Sequence, residues 1–155
     1  MSGLCLAAGV IAAALPLSAF TLAWTHSIEK IRWEEDYRVK DSHLVLEEAR
    51  IRGSGAGMEP PADAHFMNGV WHYKPILPPF ERLRLTHSPY TAGYEICSSG
   101  GCKPLTALLT GLPDFALIEV SACHHGPAGP DLNPTGPAAG PSPRPAKYPS
   151  ATQSQ

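Results

Sequence analysis

Apolar and polar side chains alternate through most of the first 123 residues. In FTLAWTHS, residues 20–27, Phe20, Leu22, Trp24 and His26 share one parity, while Thr21, Ala23, Thr25 and Ser27 share the other. That period of two marks a strand with one buried face. IRWEEDYRV (31–39) repeats it, with Ile31, Trp33, Glu35, Tyr37 and Val39 on one side and charges between them. NGVWHYKPI (68–76) and FALIEVSAC (115–123) read as further strands. YEICSSGGCKPL (94–105) reads as a hairpin turning at Ser-Ser-Gly-Gly. HLVLEEARI (43–51) is strand-like, but its Leu-Glu-Ala content also suits a short helix. KPLTALLTGL (103–112) suggests a turn or two of helix ending at Gly111. The pattern predicts a mostly β fold: one small antiparallel sandwich or barrel-like domain over residues 1–123.

Both ends of the chain depart from this pattern. The uncharged run LCLAAGVIAAALPLSAF (4–20) invites a secretory or membrane-helix reading. Against that, no Lys or Arg precedes it, Gly9 and Pro16 interrupt it, and it falls short of the ~20 residues a bilayer span needs. Two strands turning at Ala8-Gly9 and closed by Pro16 fit equally well, and composition alone does not separate the two. Residues 124–155 hold eight of the seventeen prolines and a single aromatic residue. That composition cannot bury enough apolar surface to offset the entropy of ordering it, so a disordered Pro/Gly-rich tail is expected.

Composition otherwise fits one globular domain, with 43% hydrophobic and 17% charged residues in a chain of 155. A net charge of −2, with twelve scattered Lys and Arg, provides no basic stripe. Nucleic acid is therefore not an expected partner.

The four cysteines narrow the compartment. Cys97 and Cys102 flank the hairpin turn and would face each other on paired strands, at a separation suited to a disulfide. Cys5 and Cys123 begin and end the predicted domain, so a bond between them would tie the first strand to the last. The pairing read here is Cys5 with Cys123 and Cys97 with Cys102. Four free thiols, or a zinc site built on Cys-x4-Cys and the CHH at 123–125, are the alternatives. Disulfides would place the domain in an oxidising compartment such as the periplasm or cell envelope.

Candidate chemistry concentrates in WTHSIEKIRWEEDY (24–37). A Ser27–His26 nucleophile pair fails because adjacent strand residues point to opposite faces. His26 and Glu35 share inward parity, and if residues 29–32 form the hairpin turn they meet across the strand pair. Two ligands are too few to specify a metal, so no metal and no cofactor is predicted. The simplest role is a structural hydrogen bond between His26 and Glu35, with Arg32, Glu34, Asp36 and Arg38 lining a solvated face. RGSGAGMEPP (52–61) has glycines whose backbone N–H groups suit an anion-binding concavity. It lacks the Gly-Lys-Ser/Thr of a P-loop, and Pro60 and Pro61 prevent a helix from following. A bend or bulge is the plainer explanation for its glycines.

Taken in order, these segments resemble the bacterial family called domain of unknown function 1850. The resemblance rests on Thr25, His26 and Ser27, then Glu35 with Tyr37, Arg38 and Val39, then Gly55, Gly57 and Met58. Glu59 intervenes before Pro60, a departure from that family's pattern. The resemblance implies a small β domain outside the cytoplasm, which favours strands over 4–20. It further implies an accessory role beside a TRAP-type solute transporter, without assigning residues to it. The reading taken from the residues is a non-catalytic module that contacts the transporter or its solute-binding protein through a surface around His26, Ser27, Glu35, Gly55, Gly57 and Met58. A small hydrolase or metal-dependent enzyme with its site at His26 and Glu35 is the alternative.

Overall fold

The computed structural model describes residues 2–26, 30–53 and 62–124. Eleven strands and one helical turn follow in chain order: β1 (Ser2–Ala8), β2 (Ile11–Leu15), β3 (Ala19–Thr25), β4 (Arg32–Lys40), β5 (His43–Arg52), β6 (His65–Met67), β7 (Val70–Tyr73), β8 (Arg82–His87), β9 (Tyr94–Ser98), β10 (Gly101–Pro104), α1 (Leu105–Leu108) and β11 (Ala116–His124). They form two antiparallel sheets, of order β2-β1-β11-β8 and β10-β9-β3-β4-β5-β7-β6. The sheets face each other as an open sandwich, their inner side chains joining in a single core. Leu4 and Leu6 of β1, Leu85 of β8, and Ile118 and Val120 of β11 supply the small sheet's share.

The N-terminal apolar run is therefore a hairpin of two strands with Gly9 at its turn, φ 60°. Among the described residues no helix is long and apolar enough to cross a membrane. The predicted strands over 20–27, 31–39, 68–76, 94–105 and 115–123 each overlap observed strands to within one or two residues at most ends, and α1 is a single turn with Gly111 beyond it at φ 82°. The last strand reaches His124, one residue past the expected domain end; the rest of the Pro/Gly-rich segment lies outside the described residues.

The ambiguity of HLVLEEARI has a local cause. Asp36 pairs with Glu48 but Tyr37 pairs with Leu46, so Glu47 is an extra, bulged residue on β5. The bulge changes the inward set from Leu44 and Leu46 to Ala49 and Ile51, all four buried. Strict alternation is lost although the strand continues. The β6–β7 hairpin turns at Asn68-Gly69, both at positive φ (52° and 77°), the geometry that selects an Asn-Gly pair.

Two covalent ties complete the fold. Cys5 bonds Cys123 across β1 and β11, and Cys97 bonds Cys102 across β9 and β10, leaving no free cysteine among the described residues. The chain-entropy relation assigns about 5 kcal/mol to closing the 118-residue separation and about 2 kcal/mol to closing the five-residue one. Replacing Cys5 and Cys123 with Ala is expected to lower unfolding free energy by about 3–5 kcal/mol, against about 2 kcal/mol for Cys97 and Cys102. Urea denaturation of the two double variants checks the difference; equal losses would contradict it.

Candidate functional site

The inner face of the large sheet carries one row of bulky side chains that crosses six strands. Registration places Tyr94 opposite Trp24, Trp24 opposite Trp33, Trp33 opposite Ile51, Ile51 opposite Trp71, and Trp71 opposite Phe66. Ring contacts link most of it: Trp24–Trp33 stack at 5.9 Å, Trp24–Tyr94 lie at 5.7 Å and Phe66–Trp71 at 4.9 Å. The row is buried from Tyr94 to Ile51, half-buried at Trp71, and surfaces at Phe66, which is 54% exposed. Trp33 is deeply buried, and its Nε1 has no hydrogen-bond partner among the described residues. Parity on single strands places Trp24 and Trp33 on inward positions but says nothing of Tyr94, Trp71 or Phe66. That the strands line them up became visible only with the register.

The register also moves His26 away from Glu35. His26 N–H donates to Ile31 C=O at 2.8 Å and Lys30 N–H donates to His26 C=O at 3.0 Å, so Ile31, expected within the turn, is bonded to His26 and the β3–β4 register is shifted. Parity survives this shift, but Glu35 now stands opposite Leu22. Leu22 and His26 are four positions apart on β3, about 13 Å at the usual strand rise. The two residues are therefore not cross-strand partners, which corrects the expected hydrogen bond. Glu35, only 3% exposed, accepts a hydrogen bond from Tyr37 OH two residues along its own strand. His26 is half-buried at the strand end. Ser27, Gly55, Gly57 and Met58 lie outside the described residues. Gly53, the last described residue of β5's segment, has φ 111°, and its N–H donates to Gly69 C=O at 3.0 Å. His26, Ile31, Gly53 and the Asn68-Gly69 turn thus gather at one end of the large sheet.

The outer face is the solvated charged surface that alternation predicts, organised into diagonal ion pairs. Arg50 places two nitrogens on Asp36 at 2.5 and 2.7 Å, and Thr21 Oγ1 donates to the same carboxylate at 2.6 Å. Arg52 reaches Glu34 at 3.1 Å, Arg38 reaches Glu47 at 2.6 Å, and His72 Nδ1 lies 2.8 Å from Glu48. Burial alone would raise the Asp36 carboxyl, but hydrogen bonds from Arg50 and Thr21, with the Arg50 charge, outweigh it and hold it below its ordinary range.

Among the described residues, one group of metal-ligating residue types converges on this face: donor atoms of Glu95, Cys97 and Cys102 lie within 4.8 Å of one another. Both sulfurs are committed to a disulfide, so neither offers a thiolate. A cleft of about 210 Å3 lies elsewhere, lined by Leu15, Pro16, Leu17, Ile96, Lys103 and Leu108 among others. It suits a side chain or small solute better than the ligands of roughly 300–1,000 Å3 that pockets usually hold.

A family model described as Domain of unknown function (DUF1850) matches residues 20–105, more than half of the chain. The chain belongs to this family. The DUF1850 match covers β3 to β10, and so the whole large sheet, the aromatic row and the Cys97–Cys102 bridge; β1, β2, β11 and the Cys5–Cys123 bridge lie beyond it. No curated protein and no solved structure gives a significant match.

Two measurements follow from this geometry. Removing the Tyr37 hydroxyl in Tyr37→Phe takes a donor from a buried carboxylate and should cost about 1–3 kcal/mol in denaturant unfolding. For Asp36, whose folded value is depressed, the stabilisation is present above the unfolded carboxyl pKa of about 3.9 and is lost as pH falls through the folded value. Asp36→Asn should therefore be about 1–2 kcal/mol less stable than wild type at pH 7, the lower part of the charged hydrogen-bond range because the site is partly solvated. The difference should begin to shrink below about pH 4 and close only as pH falls through the lowered folded value, read from unfolding midpoints across pH.

Proposed function

We propose that this chain is a non-catalytic binding module of the cell envelope that docks a protein partner along the β6 edge of its large sheet. The observation that carries the reading is the emergence of the aromatic row at that edge. Phe66 and Met67 stand 54% and 59% exposed on a three-residue strand at the end of the sheet order, with Trp71 against the Phe66 ring. An exposed apolar edge strand is a feature that proteins ordinarily suppress, and it offers both backbone pairing and an aromatic anchor to an incoming chain. The two disulfides support an oxidising compartment. The family resemblance supports a TRAP-type transporter subunit or its solute-binding protein as the partner. A reaction centred on His26 and Glu35 has less support, because their strand positions hold them apart.

The test is capture of partners from the native envelope fraction by the tagged protein, with thiol trapping in parallel. Wild type should recover a transporter subunit or solute-binding protein with all four cysteines oxidised. Phe66→Asp should lose at least about tenfold of that recovery, the loss of one aromatic anchor, without a lower melting temperature. Val10→Asp, at a fully exposed apolar position on the other sheet's hairpin, should recover it unchanged. Recovery indifferent to Phe66→Asp would overturn the docking edge, and reduced cysteines with no partner would overturn the module itself.

A further inference from the structure

We propose that Cys97–Cys102 is a thiol–disulfide exchange site that an external protein dithiol opens by attack at Cys102, with Arg32 receiving the Cys97 thiolate that leaves. This rests on observations separate from the β6 edge. The first is position. β10 is the outermost strand at the opposite end of the large sheet, and Cys102 on it is exposed while Cys97 is set deeper. A nucleophile from solvent therefore meets Cys102 sulfur first.

The second is the charge beside the bond. The Arg32 Nη2 lies 3.8 Å from Cys97 Sγ and 3.9 Å from Cys102 Sγ. Its Nη1 reaches Glu95 Oε1 at 3.2 Å and its Nε lies 3.8 Å from Glu34. A guanidinium at that distance stabilises a thiolate on either sulfur, and thiolate stability governs how fast a sulfur leaves. It also disfavours a cation among Glu95, Cys97 and Cys102 once the bond is open. Glu95 and Glu34 hold Arg32 in place while offsetting part of its charge. Thr21, opposite Cys97 on β3, is turned to Asp36 by its own hydrogen bond.

The third is how little the bond adds to the fold. β9 and β10 are already paired through Gly101–Ser98, Cys102–Cys97, Lys103–Ile96 and Pro104–Glu95, and the bridge spans five residues. Its loop-closure contribution is less than half that of Cys5–Cys123, which closes a separation of 118 residues. The hairpin can thus be reduced with the domain intact, and the consequence is confined to one sheet edge.

The exchange balances as a two-electron transfer. A thiolate of the external dithiol attacks Cys102 Sγ, the Cys97–Cys102 bond breaks, and its electron pair leaves on Cys97 Sγ beside Arg32. The second thiol, deprotonated by solvent, attacks the partner sulfur of the mixed disulfide and releases Cys102 as thiolate. The partner becomes a disulfide, and Cys97 and Cys102 take up two protons as their thiols form.

The experiment follows each bridge in the folded protein under dithiothreitol, using quenched alkylation and mass spectrometry. Cys97–Cys102 should open at least about tenfold faster than Cys5–Cys123, while far-ultraviolet circular dichroism stays native. Arg32→Gln should slow opening by about three- to tenfold, Arg32→Lys should restore part of the rate, and Glu95→Gln should raise it. Because only opening of the bond in folded protein is scored, a destabilised Arg32→Gln is checked against Arg32→Lys and Glu95→Gln, which keep a cation at the site. The proposal is overturned if the two bridges open together as the protein unfolds. It is overturned equally if no variant at Arg32 or Glu95 changes the rate, or if the opened pair takes up zinc at unit stoichiometry and no longer exchanges.

Discussion

Trp24 stacked on Trp33, with centroids 5.9 Å apart and planes 15° from parallel, holds β3 against β4 in one particular register, and much else depends on it. A strand pair that slips by two residues keeps every side chain on its proper face, so parity alone does not choose among such registers. The choice is made by which large side chains meet. In the observed register Trp24 meets Trp33 and Phe20 stacks on Tyr37 at 5.3 Å. Each such pair contributes about 0.5–1.5 kcal/mol beyond its burial, enough for two of them to select one register over its neighbour. Once β3 and β4 are set, Trp33 fixes Ile51, Ile51 fixes Trp71, and the row runs on to the sheet edge.

The same constraint explains how Glu35 is accommodated. It sits between Trp33 and Tyr37 on the buried face, where an ionisable group needs a polar partner. Tyr37, next on that face, supplies a hydroxyl from the same strand, so the contact depends on local geometry and not on the neighbouring strand's alignment. On the opposite face the charges behave differently. Arg50 and Arg52 reach diagonally to Asp36 and Glu34, bracing β4 against β5 beside the bulge at Glu47.

Much of this was legible in the sequence wherever the cause was local. Alternation located the β3 and β4 strands, the solvated charges between them and the hairpin around Cys97 and Cys102. Cysteine placement gave both bridges, since the two bonds join residues that strand order alone puts side by side. The ambiguity over 43–51 came from its Leu-Glu-Ala content, and the bulge at Glu47 removes the strict alternation that would have settled it. β8, RLRLTH, alternates cleanly but is short; its Arg82 and Arg84 meet Glu119 of β11 at 3.0 and 3.6 Å. β6 has only three residues, and its one sequence signal is the Asn68-Gly69 turn that follows it. What the sequence could not show was nonlocal: the β3–β4 register that sets Glu35 opposite Leu22 and away from His26, and the placing of β9 beside β3 that brings Arg32 to the disulfide.

Pairing of Ser2 with His124, together with the Cys5–Cys123 bond, brings the two extremities of the β domain side by side and joins them covalently. The domain is in effect a closed ring. A single proteolytic cut in a surface loop would leave two fragments still tethered, able to hold their contacts as one body. New termini introduced at the β4–β5 turn, with the old ends joined by a short peptide, should likewise preserve the architecture, because the connection they replace is already present as a covalent link between neighbouring strands.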